Sequence, residues 1–87
     1  MENIEPYQTS DTPFAAFLHF CGYKIVSSVQ DPNDFKREVV VFVRDADIDD
    51  LEKLWRGGRA EGNLKDYQRS LKIVTRFVNE SRKAREN

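Results

Sequence analysis

Five consecutive residues, Val39-Val40-Val41-Phe42-Val43, constrain this chain more than any other stretch. Successive side chains of a strand point to opposite faces of its sheet, so a half-buried strand alternates apolar and polar residues. This run does not alternate. It reads as the central strand of a sheet, covered on both sides. That is a hard requirement for a chain of 87 residues, which buries only a modest fraction of its surface. Val39, Val41 and Val43 face one side, and Val40 and Phe42 face the other. Either the helices of the chain divide themselves between both faces, or a second copy packs on the open one. The five residues are therefore the candidate self-association surface.

The flanking sequence supplies the other elements. Tyr23 to Gln30 is a second β-branched segment, with Tyr23, Ile25 and Val29 on one face and Val26 on the other. Between it and the strand Lys36 to Arg44 lies Asp31-Pro32-Asn33-Asp34, dense turn chemistry, so the two strands are expected to pair antiparallel. Ile4 to Thr9 is a short strand that Pro6 confines to an edge. Ser10 or Asp11 caps a first helix with Pro13 in its first turn. Phe14, Phe17, Leu18 and Cys21 share its apolar stripe, and Gly22 ends it.

A second helix starts at Asp47, its expected cap, with Asp49 and Asp50 where the helix dipole favours acids. Ile48, Leu51, Leu54 and Trp55 form its stripe, and Gly57-Gly58 stops it. Asn63 caps a third helix reaching about Arg82, with Leu64, Tyr67, Leu71, Val74 and Val78 on its apolar face and Phe77 at the margin. The predicted order is (β)-α-β-β-α-α. It describes one α+β domain over residues 1–87, a small antiparallel sheet with three helices and a frayed tail at 83–87.

Phe14-Ala15-Ala16-Phe17-Leu18 followed by Gly22-Tyr23, then Val40-Val41-Phe42-Val43, an acidic helix start and Gly58-x-Ala60 resemble a small family of bacterial and phage proteins, a domain of unknown function. The resemblance spans roughly Thr9 to Val78. It implies a stand-alone α+β domain of bacteria or mobile elements, and it brings no catalytic residues with it.

Most chemistries are missing. One His and one Cys cannot make a zinc site or an internal disulfide. Asp45-x-Asp47-x-Asp49 opens like a calcium loop, but Asp50 stands where the loop needs Gly, and Arg56 where it needs Glu. An acidic helix start is the preferred reading, although the residue class suits a weakly held Mg²⁺. Cys21 and His19 point to opposite sides of a helix, Cys21 into the apolar stripe and His19 toward solvent. Gly57 and Gly62 have the outer spacing of a phosphate loop, but Asn63-Leu64 replaces the Lys-Ser/Thr pair. Arg56-Gly57-Gly58-Arg59 beside a helix N-terminus still suits a phosphate contact, with a plain helix stop as the alternative. No enzyme activity, cofactor, metal or small-molecule substrate is expected. No apolar run is long enough for a membrane, and the acidic start lacks the regions of a signal peptide, so a reducing cytoplasm is the expected home.

Charge supplies the remaining candidates. Up to Glu52 the chain has eleven acidic and four basic residues, a net of −7; from Lys53 it has ten basic and four acidic, a net of +6. Lys65, Arg69, Lys72, Arg76 and Lys83 fall within about 60° of one face of the third helix, opposite its apolar stripe. Arg56 and Arg59 extend this surface. A stripe of one sign is the electrostatic footprint of polyanion binding, since a merely soluble helix would mix in acids. The leading expectation is a non-enzymatic module acting through protein association, either with a protein partner or with a second copy of itself as a homodimer in which acidic and basic halves meet. Nucleic-acid binding through the third helix is the alternative.

Overall fold

In a computed structural model of the chain, which describes residues 6–86, three strands and three helices follow the predicted order. They are β1 (Pro6–Thr9), α1 (Thr12–Phe20), β2 (Ile25–Asp31), β3 (Asp34–Val43), α2 (Ile48–Arg56) and α3 (Leu64–Glu86). The sheet is antiparallel with the order β1-β3-β2, so the all-apolar run is the central strand. The hairpin closes at Asp31 and Asp34, around Pro32-Asn33. Of the predicted edge strand, Ile4 and Glu5 lie outside the described residues, as does Asn87 of the predicted tail. The third helix continues to Glu86, past its expected end near Arg82.

Local chemistry sets the helix ends. The Asp11 carboxylate accepts from the Phe14 N–H at 3.1 Å and caps α1. At its other end Gly22 takes φ +100°, a left-handed conformation that only a residue without Cβ adopts freely. Two bonds close that turn: Tyr23 N–H donates to Leu18 C=O and Gly22 N–H to His19 C=O. α2 ends with the same pair of bonds, Arg59 to Leu54 and Gly58 to Trp55. The Asn63 side chain caps α3 through the Asp66 N–H.

Register decides which side chains share a face. Tyr7 and Ile25 flank Phe42, and Thr9 and Ser28 flank Val40. This face meets the helices. Phe42 and Val40 are buried there with Tyr7, Leu18, Ile48, Val74 and Val78. Burying a side chain such as Leu18 contributes about 1.5–3 kcal/mol.

Of the two expected ways to cover β3, the chain's own helices do not divide themselves between both faces. β1 and β2 lie at opposite edges, and α1 crosses between them on one side of the sheet. α1 presents Phe14 and Phe17, and α2 and α3 pack against that aromatic surface and join the same layer. The molecule is a slab of 39 × 39 × 20 Å, helices on one side and bare sheet on the other.

Cys21, Leu64, Leu54 and His19 depart from their predicted places, Leu54 being 40% exposed. The helix has ended by Cys21, which turns it out of the stripe and leaves it exposed. Leu64, first residue of α3, precedes the point where the helix reaches the core and is 78% exposed. Ser70 takes a core position on α3 and is buried. Its hydroxyl shares a 2.9 Å hydrogen bond with His19 Nδ1, so His19 is half-buried and ties α1 to α3, not free in solvent.

Candidate interaction surfaces

The bare face of the sheet takes the odd-numbered half of the central run. Val39, Val41 and Val43 lie along β3, with Ser27 and Val29 beside them on β2 and Pro6 and Gln8 on β1. Val43 is 54% exposed and Val29 40%. Val41 is buried between its neighbours yet belongs to no part of the helix-side core. Arg37 lies in the irregular stretch at the hairpin end and pairs with Asp34 at 4.0 Å. Of the five candidate self-association residues, Val40 and Phe42 do not lie on this face. They are consumed by the chain's own core.

The outer face of α3 carries the predicted cations. Lys65, Arg69, Lys72, Arg76 and Lys83 are all exposed. Their sign is less pure than the sequence suggested. Asp66 reaches Arg69 at 3.8 Å, and Glu80 reaches Arg76 at 3.8 Å. Such exposed pairs contribute at most about 1 kcal/mol and leave much of the field intact. Lys65, Lys72 and Lys83 have no acidic partner among the described residues. Arg56 is exposed on α2 and pairs with Glu52 at 2.8 Å. Arg59 is exposed in the loop. The amides of the Gly57-Gly58-Arg59 turn are spent on the carbonyls of Lys53, Trp55 and Leu54, which leaves no cradle for a phosphate.

The acidic segment after β3 is a cap. The capping side chain is Asp45, not Asp47. Asp45 Oδ1 accepts from the Asp47 and Ile48 N–H groups at 3.0 and 3.1 Å and from the Tyr23 hydroxyl at 2.6 Å. Asp47 makes no side-chain capping bond. Partial burial and then Asp45 hold the Tyr23 hydroxyl protonated well above the usual tyrosine range. Asp49 pairs with Arg44 at 3.0 Å, and the Arg44 guanidinium lies 5.1 Å over the Tyr7 ring. Among the described residues, no three His, Cys, Asp or Glu side chains converge as metal ligands would.

The His19–Ser70 pair has the atoms of a nucleophile and a base. Among the described residues no carboxylate is hydrogen-bonded to His19, and Ser70 lies mid-helix, where backbone N–H groups are committed to the helix. It is an interhelical tie. Partial burial raises the Cys21 thiol, which disfavours its reactive thiolate.

One feature escaped the sequence reading. Four rings, Phe17, Phe20, Tyr67 and Trp55, close a circuit with neighbouring centroids 5.3–6.4 Å apart. All four line one cavity of about 380 Å³ where α1, α2 and α3 meet the loop between the last two. Gly62 forms part of its wall, and a Cβ there would run into the Phe20 ring. Tyr67 is fixed by donating its hydroxyl to Pro13 C=O at 3.0 Å. The signal was present: three of the rings sit at helix ends facing the Gly57–Gly62 loop. Helical periodicity assigns such residues to a core and says nothing about a gap between them. Among the described residues, no helix is long and apolar enough to cross a membrane. No family model, curated protein or solved structure matches the chain.

Proposed function

We propose that this chain is a non-enzymatic association module that pairs with a second copy of itself through the bare face of its sheet. One observation carries the reading: Val29 and Val43 stand exposed at the ends of an apolar stripe that runs through half-buried Val39 and buried Val41, outside the helix-side core. An apolar patch of this kind marks an interaction site. Its centre is uncharged, so a two-fold axis can lay the stripe on its own copy without setting like charges together. Two such faces pack about 10 Å apart with their side chains interdigitated.

Sedimentation equilibrium across a hundredfold dilution tests it. The expected result is a dimer that dissociates toward the 10.2 kDa monomer on dilution, while Val29→Lys with Val43→Lys is monomeric throughout. Both positions are exposed in the single chain, so the variant keeps its fold. A wild-type chain of monomer mass at every concentration overturns the proposal.

A second reading rests on the three unpaired lysines of α3, which lie on the opposite side of the slab from the valines. A polyanion such as DNA or RNA would bind this face with an affinity that falls steeply with salt. Arg69→Glu with Arg76→Glu then abolishes retention of a random oligonucleotide and leaves the circular dichroism spectrum unchanged. Retention equal to that of the wild type removes α3 as the site.

A further inference from the structure

The outer face of α3 is asymmetric, and the asymmetry narrows the polyanion reading on which this inference rests. At about 100° per residue, Gln68, Thr75 and Asn79 fall within about 40° of one another along one flank of the cationic stripe. Asp66 and Glu80 lie on the opposite flank, each against an arginine. Between Lys65 and Lys83, a sector of about 100° from Thr75 to Arg76 therefore holds Lys65, Lys72, Arg76 and Lys83 together with the three uncharged polar residues. No acid and no apolar side chain falls inside it. All of these residues are exposed, and Gln68, Thr75 and Asn79 have no side-chain hydrogen-bond partner among the described residues.

α3 also stands clear of the layer that carries it. It has 23 residues and α1 has 9, so it overhangs its neighbour. From Asn79 to Ala84 every residue except Ser81 is exposed. Arg82 donates to Lys36 C=O at 2.9 Å and ties the overhanging turns to β3. The composition of the face then selects among polyanions. A single strand is gripped by aromatic side chains on which its bases stack, and the sector has none. A membrane surface needs an apolar helix face, and that of α3 is spent on the core. Amide and hydroxyl side chains set among cations are the chemistry that reads base edges. Asn and Gln bond adenine, Lys and Arg bond guanine, and Thr meets the thymine methyl. The major groove of B-DNA, about 12 Å wide, admits an α-helix, whereas side chains cannot read the deep, narrow major groove of A-form RNA.

We propose that this face of α3 enters the major groove of double-stranded DNA, with Gln68, Thr75 and Asn79 toward base edges and Lys65 and Lys83 on phosphates. Lys65 and Lys83 stand about 27 Å apart along the helix, far enough to meet phosphates on both sides of the groove. Asp66 and Glu80 are turned off the groove floor and remain with their arginines. The face lies across the slab from the valine stripe, so it is equally open in one copy and in a pair.

Fluorescence anisotropy tests it with a labelled pool of short random-sequence DNA duplexes, the single strands of that pool and the matching RNA duplexes, and with heparin as a general polyanion. The DNA duplex is expected to bind at least about tenfold more tightly than the single strand or the RNA duplex. Methyl green, which occupies the major groove, is expected to displace the protein, and netropsin, which occupies the minor groove, is not. A duplex that the wild type enriches from the pool is expected to bind at least about tenfold more tightly than the pool itself. Gln68→Ala with Asn79→Ala, both exposed, loses that preference and keeps its affinity for the pool within about twofold. A single strand or RNA duplex bound as tightly as the DNA overturns the proposal and leaves the polyanion reading standing. So does displacement by netropsin and not by methyl green, or a preference absent from the wild type or unchanged in the variant. Binding to none of the DNA, the RNA and heparin overturns both.

Discussion

The two faces of β3 are built from nearly the same side chains and have opposite fates. Val40 and Phe42 are fully enclosed, whereas Val43, next in the chain, is half-exposed. Hydrophobicity does not separate them. The difference comes from topology. The crossover from β1 to β2 commits α1 to one side, and α1 carries so much aromatic surface that α2 and α3 gain more by packing on it than by crossing the sheet. An apolar run states how much surface needs cover and leaves open what covers it.

The largest test of this contrast is a pair of neighbouring truncations. Phe42→Ala is expected to cost about 3–5 kcal/mol in chemical denaturation, because the cavity it leaves is sealed by three elements. Val43→Ala, measured at high dilution, is expected to change stability by no more than about 0.5 kcal/mol. Equal costs would mean that the second face is covered after all.

Next comes the device that sends α2 toward the helix layer. Asp45 binds the first amides of α2 and the hydroxyl of Tyr23, and so fixes the direction in which the chain leaves β3. Asp45→Ala is expected to lower stability by about 1–2 kcal/mol, and Asp47→Ala by less than about 0.5 kcal/mol. The reverse order in thermal melts would restore Asp47 as the cap.

The smallest effect is on pH. The Tyr23 hydroxyl is raised in the folded chain, so the neutral form stabilises the fold. That contribution is complete below the ordinary tyrosine value of about 10 and is lost as pH climbs above it. Wild-type protein should therefore lose more stability than Tyr23→Phe between neutral pH and pH above about 10. Tyr7 and Tyr67 are raised as well and are common to both proteins, so the difference isolates Tyr23. Parallel losses in the two would remove the Tyr23–Asp45 bond from the account.

These contrasts mark where the sequence was legible. Element order, the hairpin, the central place of β3 and the caps at Asp11, Gly22 and Asn63 follow from local rules, each needing only a few adjacent residues. Asp45 was missed because a carboxylate two or three residues ahead of a helix caps it only if the chain turns back, which spacing does not encode. Ser70 was legible in principle. A serine that helical spacing sets between Phe77 and Val74 must find a partner, and the one histidine of the chain was the available candidate. Neither the bare face nor the aromatic cavity was legible, since both depend on how helices distant in sequence divide the space between them.

The Val26 bulge gives the contrast a second consequence. On β2, Ile25 and Ser27 stand against adjacent residues of β3, so Val26 is an extra residue that interrupts the ladder. The other edge, β1, is four residues long and contains Pro6, which has no amide hydrogen to offer. Both margins are thus poor templates for a further strand, and growth by strand addition, which has no natural end, is discouraged. A face has no such repeat. In the proposed pairing each copy covers the other's valine stripe, which gives the assembly a natural end at two.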